Sequence, residues 1–337
     1  MRLTGKQSWV FQNEVYVSAT GTSVGPKEAK GPLGNCFDVT YEELHCGEDN
    51  WELAERKLMN DSIGQAFEKG NLKASDIDLF LAGDLLNQTV TANYVARELG
   101  IPFLGMFGAC STSMETLAVA AAFIDGGFAK RVLSSVSSHN ATAEKQFRYP
   151  TEYGGQKPDT ATSTVTGAGS AIVSNEKSPI KITAATIGKV QDLGITDPFD
   201  MGSAMAPAAA HTIQQHFEDL NRSASDYDLI VTGDLSKVGA PITRRMLLDE
   251  GYDLGSVYND CGMMIYNDDQ NVFAGGSGCA CSAVVTYGHL LEEMKKGNLQ
   301  RIFVVATGAL LNPIMIQQDE SIPTIAHGVV FERVKGV

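Results

Sequence analysis

Asp78-Leu79-Phe80-Leu81-Ala82-Gly83-Asp84-Leu85 returns 150 positions later as Asp228-Leu229-Ile230-Val231-Thr232-Gly233-Asp234-Leu235. Each copy is a short apolar run that ends in Gly-Asp. That is how a buried strand running into a turn reads. A second pair follows in the same order. Gly108-Ala109-Cys110-Ser111, its helix-forming run and Lys130 to Val136 make one member. Gly278-Cys279-Ala280-Cys281, a like run and Gln300 to Ala306 make the other, 170 positions on. Two features repeating in one order point to an internal duplication.

The segments between these strands complete each unit. Trp51, Ala54, Leu58, Ile63, Ala66 and Phe67 recur at helical spacing, and Gly70-Asn71 stops the run. In the second half Ala208 to Leu220 takes that place, with Ile213 and Phe217 four apart. A strand closes each half, over Ala168 to Ser174 and Ala326 to Glu332. Strands alternating with helices make an α/β fold with largely parallel pairing. The halves divide as 1–175 and 176–337. The first carries a polar and aromatic insertion over about 139–166, where the second holds only Asn312 to Thr324. Long unmatched insertions often carry function, and a solvated surface loop is the plainer alternative.

Composition narrows the class. The chain has 337 residues, 43% hydrophobic and 20% charged, with a net charge of −14. Nucleic acid and bare anionic lipid are poor partners for such a surface. The start, Met1 to Trp9, has no apolar run of a secretory signal, and Leu117 to Ile124 is far shorter than the ~20 residues of a membrane span. Any work at a membrane requires recruitment. Six cysteines without a signal do not suggest a disulfide framework. Cys279-Ala280-Cys281 lacks the second pair that a metal site needs, so it reads as small buried residues in a tight turn.

The chemistry gathers at Cys110. Gly108 to Ser113 leads straight from the apolar Ile101 to Phe107 into a strong helix former, Met114 to Ile124. A cysteine at a helix start sits among unpaired N–H groups and the positive end of the dipole. Two uses follow: a thiol of lowered pKa acting as a nucleophile, or donors that hold a carboxylate without chemistry. Asp84 and Asp234 either line a pocket or cap the turn that follows. His139 and His211 are candidates for a base or for plain hydrogen bonding, with His139 placed at the end of a strand and His211 at the opening of a helix. His45, His216, His289 and His327 read as structural or surface groups.

A duplicated α/β chain with a cysteine on a Gly-Ala-Cys-Ser helix start resembles the thiolase-like superfamily over residues 14 to 334. That implies a five-layered α-β-α-β-α sandwich built on two five-stranded sheets, a nucleophile near the pseudo-twofold, and a homodimer. The catalytic pattern breaks, however. Ketoacyl synthases carry a histidine where this chain has Gly233-Asp234. Thiolases carry one in the loop that is Ala274 to Gly278 here, and a second cysteine near Ala306-Thr307-Gly308. Only Cys110 of the set remains.

Within the superfamily the chain resembles the stage V sporulation protein AD family of endospore formers. The resemblance rests on Gly5-Lys6-Gln7-Ser8-Trp9-Val10-Phe11, Gly31 to Gly34, Phe147 to Gly154 and Asp260 to Tyr266. It implies a non-catalytic protein that binds dipicolinic acid (pyridine-2,6-dicarboxylate) or its calcium chelate. That protein would lie peripherally on the cytoplasmic face of the forespore or spore inner membrane, with membrane-embedded partners from the same operon. No cofactor is expected, and calcium enters only with the ligand. A dicarboxylate needs convergent donors or cations and a flat apolar slot. The expected binding set is Cys110, Ser111, Asp84, His139, Lys145, Phe147, Arg148, Tyr149, Gly276, Ser277 and Gly278. Tyr153 is a further candidate to flank the ring, and Arg244 and Arg245 are candidates to face the same cleft. Asp84 would be a calcium-side contact. A Cys110-dependent acyltransferase or condensing enzyme, and a scaffold with a vestigial pocket, are the competing readings.

Overall fold

The fold is known from a computed structural model that describes residues 2–147 and 157–336. The first half supplies strands β1 (Tyr16–Val24), β2 (Leu79–Gly83), β3 (Phe103–Gly105), β4 (Arg131–Ser138) and β5 (Gly167–Ser174). Its helices are α1 (Trp51–Gly70), α2 (Val90–Leu99), α3 (Thr112–Gly126) and α4 (Asn140–Phe147). The second half supplies β6 (Ile180–Thr186), β7 (Leu229–Thr232), β8 (Tyr258–Asp260), β9 (Arg301–Ala309) and β10 (Thr324–Arg333). Its main helices are α5 (Met201–Leu220), α6 (Ser236–Asp249) and α7 (Cys279–Val285). The last of these runs on through a π turn into Leu291–Lys296.

The duplication extends to strand order. In the first half the sheet runs β3-β2-β4-β5-β1, and in the second β8-β7-β9-β10-β6. In both, the first three strands are parallel and the last two join antiparallel. The two sheets are not separate. β1 and β6 pair where Ile180 meets Val17 and Lys181 meets Tyr16, so one hydrogen-bonded surface runs through both halves.

Helix α3 packs on β4 and β5 of its own half and on β9 and β10 of the other, and α7 packs on β4 and β5 from the opposite side of the pseudo-twofold. These two helices form the middle layer, joined by a 2.6 Å hydrogen bond between the Ser113 and Ser282 hydroxyls. Helices α1 and α2 cover one outer face, and α5 and α6 the other. That is the five-layered arrangement.

Local chemistry repeats with the topology. The Asn50 carbonyl oxygen caps α1 by accepting from Leu53 N at 2.9 Å, and Asn71 ends the helix in the left-handed region. Asp200 and Asn221 do the same for α5. Such caps are worth about 1 kcal/mol each. Asp78 accepts from the amides of Lys130 and Arg131, and its repeat mate Asp228 from those of Gln300 and Arg301. Each aspartate thereby fixes the strand that follows the middle-layer helix.

Two sequence expectations need revision. Helix α5 starts at Met201 rather than Ala208, because Pro207 is held inside it, so His211 lies mid-helix instead of opening one. The insertion is not irregular throughout. Asn140–Phe147 is helical, and Ser163–Thr164 pairs in parallel with Gly276–Ser277. Arg148, Tyr149 and Tyr153 lie outside the described residues. Among the described residues, no helix is long and apolar enough to cross a membrane.

Candidate functional site

The chain leaves β3, crosses Met106-Phe107-Gly108 and turns at Ala109, whose φ of 51° is in the left-handed region. A non-glycine residue there costs about 1 kcal/mol and persists only when its surroundings fix it. Three hydrogen bonds do so. Thr112 Oγ1 accepts from Gly108 N at 2.9 Å and donates to Ala109 O at 2.6 Å, and Ser111 Oγ donates to Gly108 O at 2.6 Å. The turn presents Cys110 at the head of α3. From the second half, β9 passes directly behind, and a Cβ on Gly308 would stand 2.2 Å from Gly108 O. Only glycine permits that approach.

Cys110 is 7% exposed and forms part of a pocket with about 520 Å³ of empty space, mouth included. Leu85, Phe107, Ala143 and Phe147 from the first half and Pro198, Met201, Ala309 and Leu311 from the second wall it. Thr164, Ser277 and Gly278 complete it beside Cys110. The described lining holds no charged side chain. The pocket thus lies where the halves meet, with aromatic and aliphatic walls and its polar groups near the sulfur.

Asp234 lies behind Cys110. It follows β7 and is 1% exposed. Its Oδ1 accepts from Thr307 Oγ1 at 2.6 Å and its Oδ2 from Gly278 N at 2.9 Å. The Cys110 thiol is its third hydrogen-bond partner. The three places where a condensing enzyme's base or second cysteine was sought (Gly233-Asp234, the glycine loop and Thr307) therefore converge on one buried carboxyl. Burial raises Asp234 to about 7 against the pull of those donors. Burial, with the nearby Asp234 carboxylate, pushes the Cys110 thiol well above its ordinary value. The helix-start position does not yield a thiolate, because desolvation in this closed setting outweighs the dipole.

The repeat mate behaves differently. Asp84 accepts from Leu86 N and Ala92 N, both at 2.9 Å, so it caps the turn and helix after β2. Each oxygen accepts one backbone N–H, and Asp84 is not among the described residues that line the pocket. In the second half that capping task falls to Asp260, which accepts from Leu235 N, Ser236 N and Thr232 Oγ1. Asp260 stands at the register place that Gly105 occupies in the first half. Asp234 is thereby free to face the cysteine.

Of the expected binding set, the pocket gathers Cys110, Phe147, Ser277 and Gly278. Ser277 Oγ accepts from Thr162 Oγ1 at 2.9 Å, and Gly278 adopts φ 99°. Gly276 sits in the short ladder with Ser163, and Ser111 serves the turn, so neither lines the pocket. His139 is turned away: its Nε2 meets Leu44 O at 2.8 Å and its Nδ1 accepts from Ala141 N, and burial lowers its pKa. Lys145 pairs with Glu52 on the outer side of α4. Arg244 donates to Gly255 O and Tyr258 O and lies 5.1 Å over the Tyr258 ring, while Arg245 pairs with Asp249. Neither arginine faces the cleft. Each of these cations satisfies an acceptor outside the cleft.

Two other histidines, His216 and His327, are buried in the structural core. His216 is hydrogen-bonded at both nitrogens, to Thr186 and Tyr227, and stacks on Phe303 at 3.8 Å; burial lowers it to about 3. Burial lowers His327 to about 4. Cys279 and Cys281 lie fully buried in the first turn of α7, with Cys279 Sγ donating to Ser137 O.

The model of the stage V sporulation protein AD family matches residues 5–332. The chain belongs to that family. Stage V sporulation protein AD of Bacillus subtilis (strain 168) is 68% identical over 336 residues, covering 100% of this chain and 99% of that protein. Among solved structures, 3-oxoacyl-[acyl-carrier-protein] synthase III from Aquifex aeolicus VF5 matches with a TM-score of 0.59 at 15% identity, over 94% of this chain and 99% of that one. Cerulenin-bound OleA from Xanthomonas campestris matches with a TM-score of 0.61 at 13% identity, over 95% and 99%. At such identity the likeness shows the thiolase-like fold alone.

Proposed function

We propose that this family member is a binding protein rather than a condensing enzyme, and that its pocket at Cys110 takes dipicolinic acid or its calcium chelate. In this reading it serves uptake into the developing spore and release at germination. The observation that carries it is the pocket itself. Aromatic and aliphatic walls meet over Cys110, Ser277 and Gly278, and a buried carboxyl occupies the place of a base. A compact aromatic acid suits such a slot: its ring lies between apolar walls, and the polar groups near Cys110 set its orientation.

The protein would sit on the spore inner membrane by docking to membrane-embedded products of the same operon. It would act as a homodimer. Strand β3 is the edge of the first-half sheet; Leu104 on it and Phe107 just after it are 47% and 48% exposed. An apolar edge strand of this kind invites pairing with a second copy.

One observation favours a second reading. Asp234 touches the Cys110 thiol and titrates near neutrality, as a general base would. An acyl transfer through Cys110 would use it. The raised thiol pKa opposes this, since the thiolate is the nucleophile. Equilibrium dialysis against dipicolinate, with wild type and Phe147→Asp, tests the preferred reading. Saturable binding lost on placing a carboxylate in the wall supports it. No binding by wild type, with covalent acylation from a coenzyme A thioester instead, overturns it.

A further inference from the structure

Asp234 is placed to do more than hold the cysteine turn. It is the fully buried acid directly behind the pocket floor, and it contacts two lining residues, Cys110 and Gly278. The groups packed around it come from every neighbouring element. Cys110 heads α3, Cys279 and Cys281 lie on α7, Asp260 ends β8 and Cys261 follows it, and Thr307 is on β9. The groups acting on it most strongly are Thr307, Cys110, Gly278 and Asp260, none of them a cation. The described pocket lining also carries no cation. Among the described residues, an anion seated over Cys110 therefore faces a second negative charge with no cation between to neutralise it.

We propose that Asp234 is a binding residue of this pocket through its charge, taking up one proton from solvent when a carboxylate ligand seats against Cys110 and Gly278. Ligand and proton then bind together. The inference rests on the binding-protein reading and adds that the site takes the anion with a proton.

Asp234 stands near 7 without ligand, so it is largely ionised at pH 8. Asp260, near 6, is already ionised there, and the buried thiols stay neutral because burial raises them. Asp234 is thus the group in this cluster that changes charge between pH 7 and 9. A ligand charge about 6 Å away, at an effective dielectric of about 20, raises a carboxyl by about two pH units. That predicts about 0.8 proton taken up per ligand at pH 8, and affinity falling by up to about tenfold per pH unit from 7 to 9.

The test is calorimetric titration of the full chain with pyridine-2,6-dicarboxylate at pH 8, in two buffers of different ionisation enthalpy. The expected result is uptake of about 0.8 proton by wild type and none by Asp234→Asn, whose affinity is flat across pH 7 to 9. Binding without proton uptake, or uptake retained in Asp234→Asn, overturns the inference and leaves the binding reading standing. Absence of any saturable heat defeats that reading instead. Should Asp234→Asn fail to fold, Thr307→Val removes a donor to the ionised carboxyl. It should move the pH at which affinity begins to fall upward by about one unit. An unmoved profile overturns the inference.

Discussion

Replacing Glu55 with Gln should flatten the dependence of stability on pH. Glu55 lies on α1, fully buried, and accepts from Ser137 Oγ at 3.0 Å and Thr142 Oγ1 at 2.7 Å. Burial first, and the neighbouring Asp84 carboxylate second, raise it to about 8. The sign follows from linkage. A carboxyl whose folded-state pKa is raised binds more protons folded than unfolded between its ordinary value, 4.5, and about 8. Its stabilising contribution is complete below the ordinary value and is lost as pH rises through the folded one. Between pH 6 and 8 one such group contributes a slope of up to ~1.4 kcal/mol per pH unit. Coupling to Asp84 reduces this, leaving a loss of about 1–2 kcal/mol. With an unfolding entropy near 2.1 cal/mol/K per residue, that is a fall in Tm of about 1.5–3 °C. Asp234 and Glu115, each near 7, steepen the wild-type decline. Thermal melts of wild type and Glu55→Gln from pH 5.5 to 8.5 provide the assay. The variant should gain on wild type as pH rises and exceed it at pH 8. Parallel profiles across the range would refute the reasoning.

Three further predictions concern the site and its edge. Iodoacetamide at pH 8 should label the partly exposed Cys36 and leave Cys110 largely unmodified, as read by peptide mass spectrometry; rapid labelling of Cys110 would instead reveal a nucleophilic thiolate. Gly278→Ala should cost about 2–4 kcal/mol and weaken ligand binding, because φ 99° disfavours a side chain and its Cβ would stand 2.7 Å from Ser138 Oγ; an unchanged melting temperature would contradict this. Leu104→Asp should convert a dimer to a monomer in light scattering, and a dimer unaffected by that charge would place the interface elsewhere.

Much of the architecture was legible because duplication writes the same signals twice. The Gly-Asp strand ends, the Asn71 stop and the cysteine turn all lie where the sequence places them. The start of α5 was not, since a proline is normally a helix breaker and Pro207 is tolerated in an interior of small buried residues. The site was half legible. Cys110, Ser277, Gly278 and Phe147 meet, whereas Lys145, Arg244 and Arg245 are drawn off by acceptors that are distant in sequence or on their own helix. The sequence offers Asp84 and Asp234 the same two roles, pocket or cap, and does not separate them. The clue lay in a broken symmetry: Asp260 stands where the first half has Gly105, which relieves Asp234 of capping. Thr307 carried no signal of its own, because its role depends on where β9 passes Cys110.

The proposed function requires a shaped, non-covalent site for one aromatic dicarboxylate. Calorimetric titration with pyridine-2,6-dicarboxylate beside the 2,4-isomer tests that most directly. Saturable, reversible heat with the 2,6-compound and markedly weaker heat with the isomer is the predicted result. Equal heats, or none with either, would contradict it.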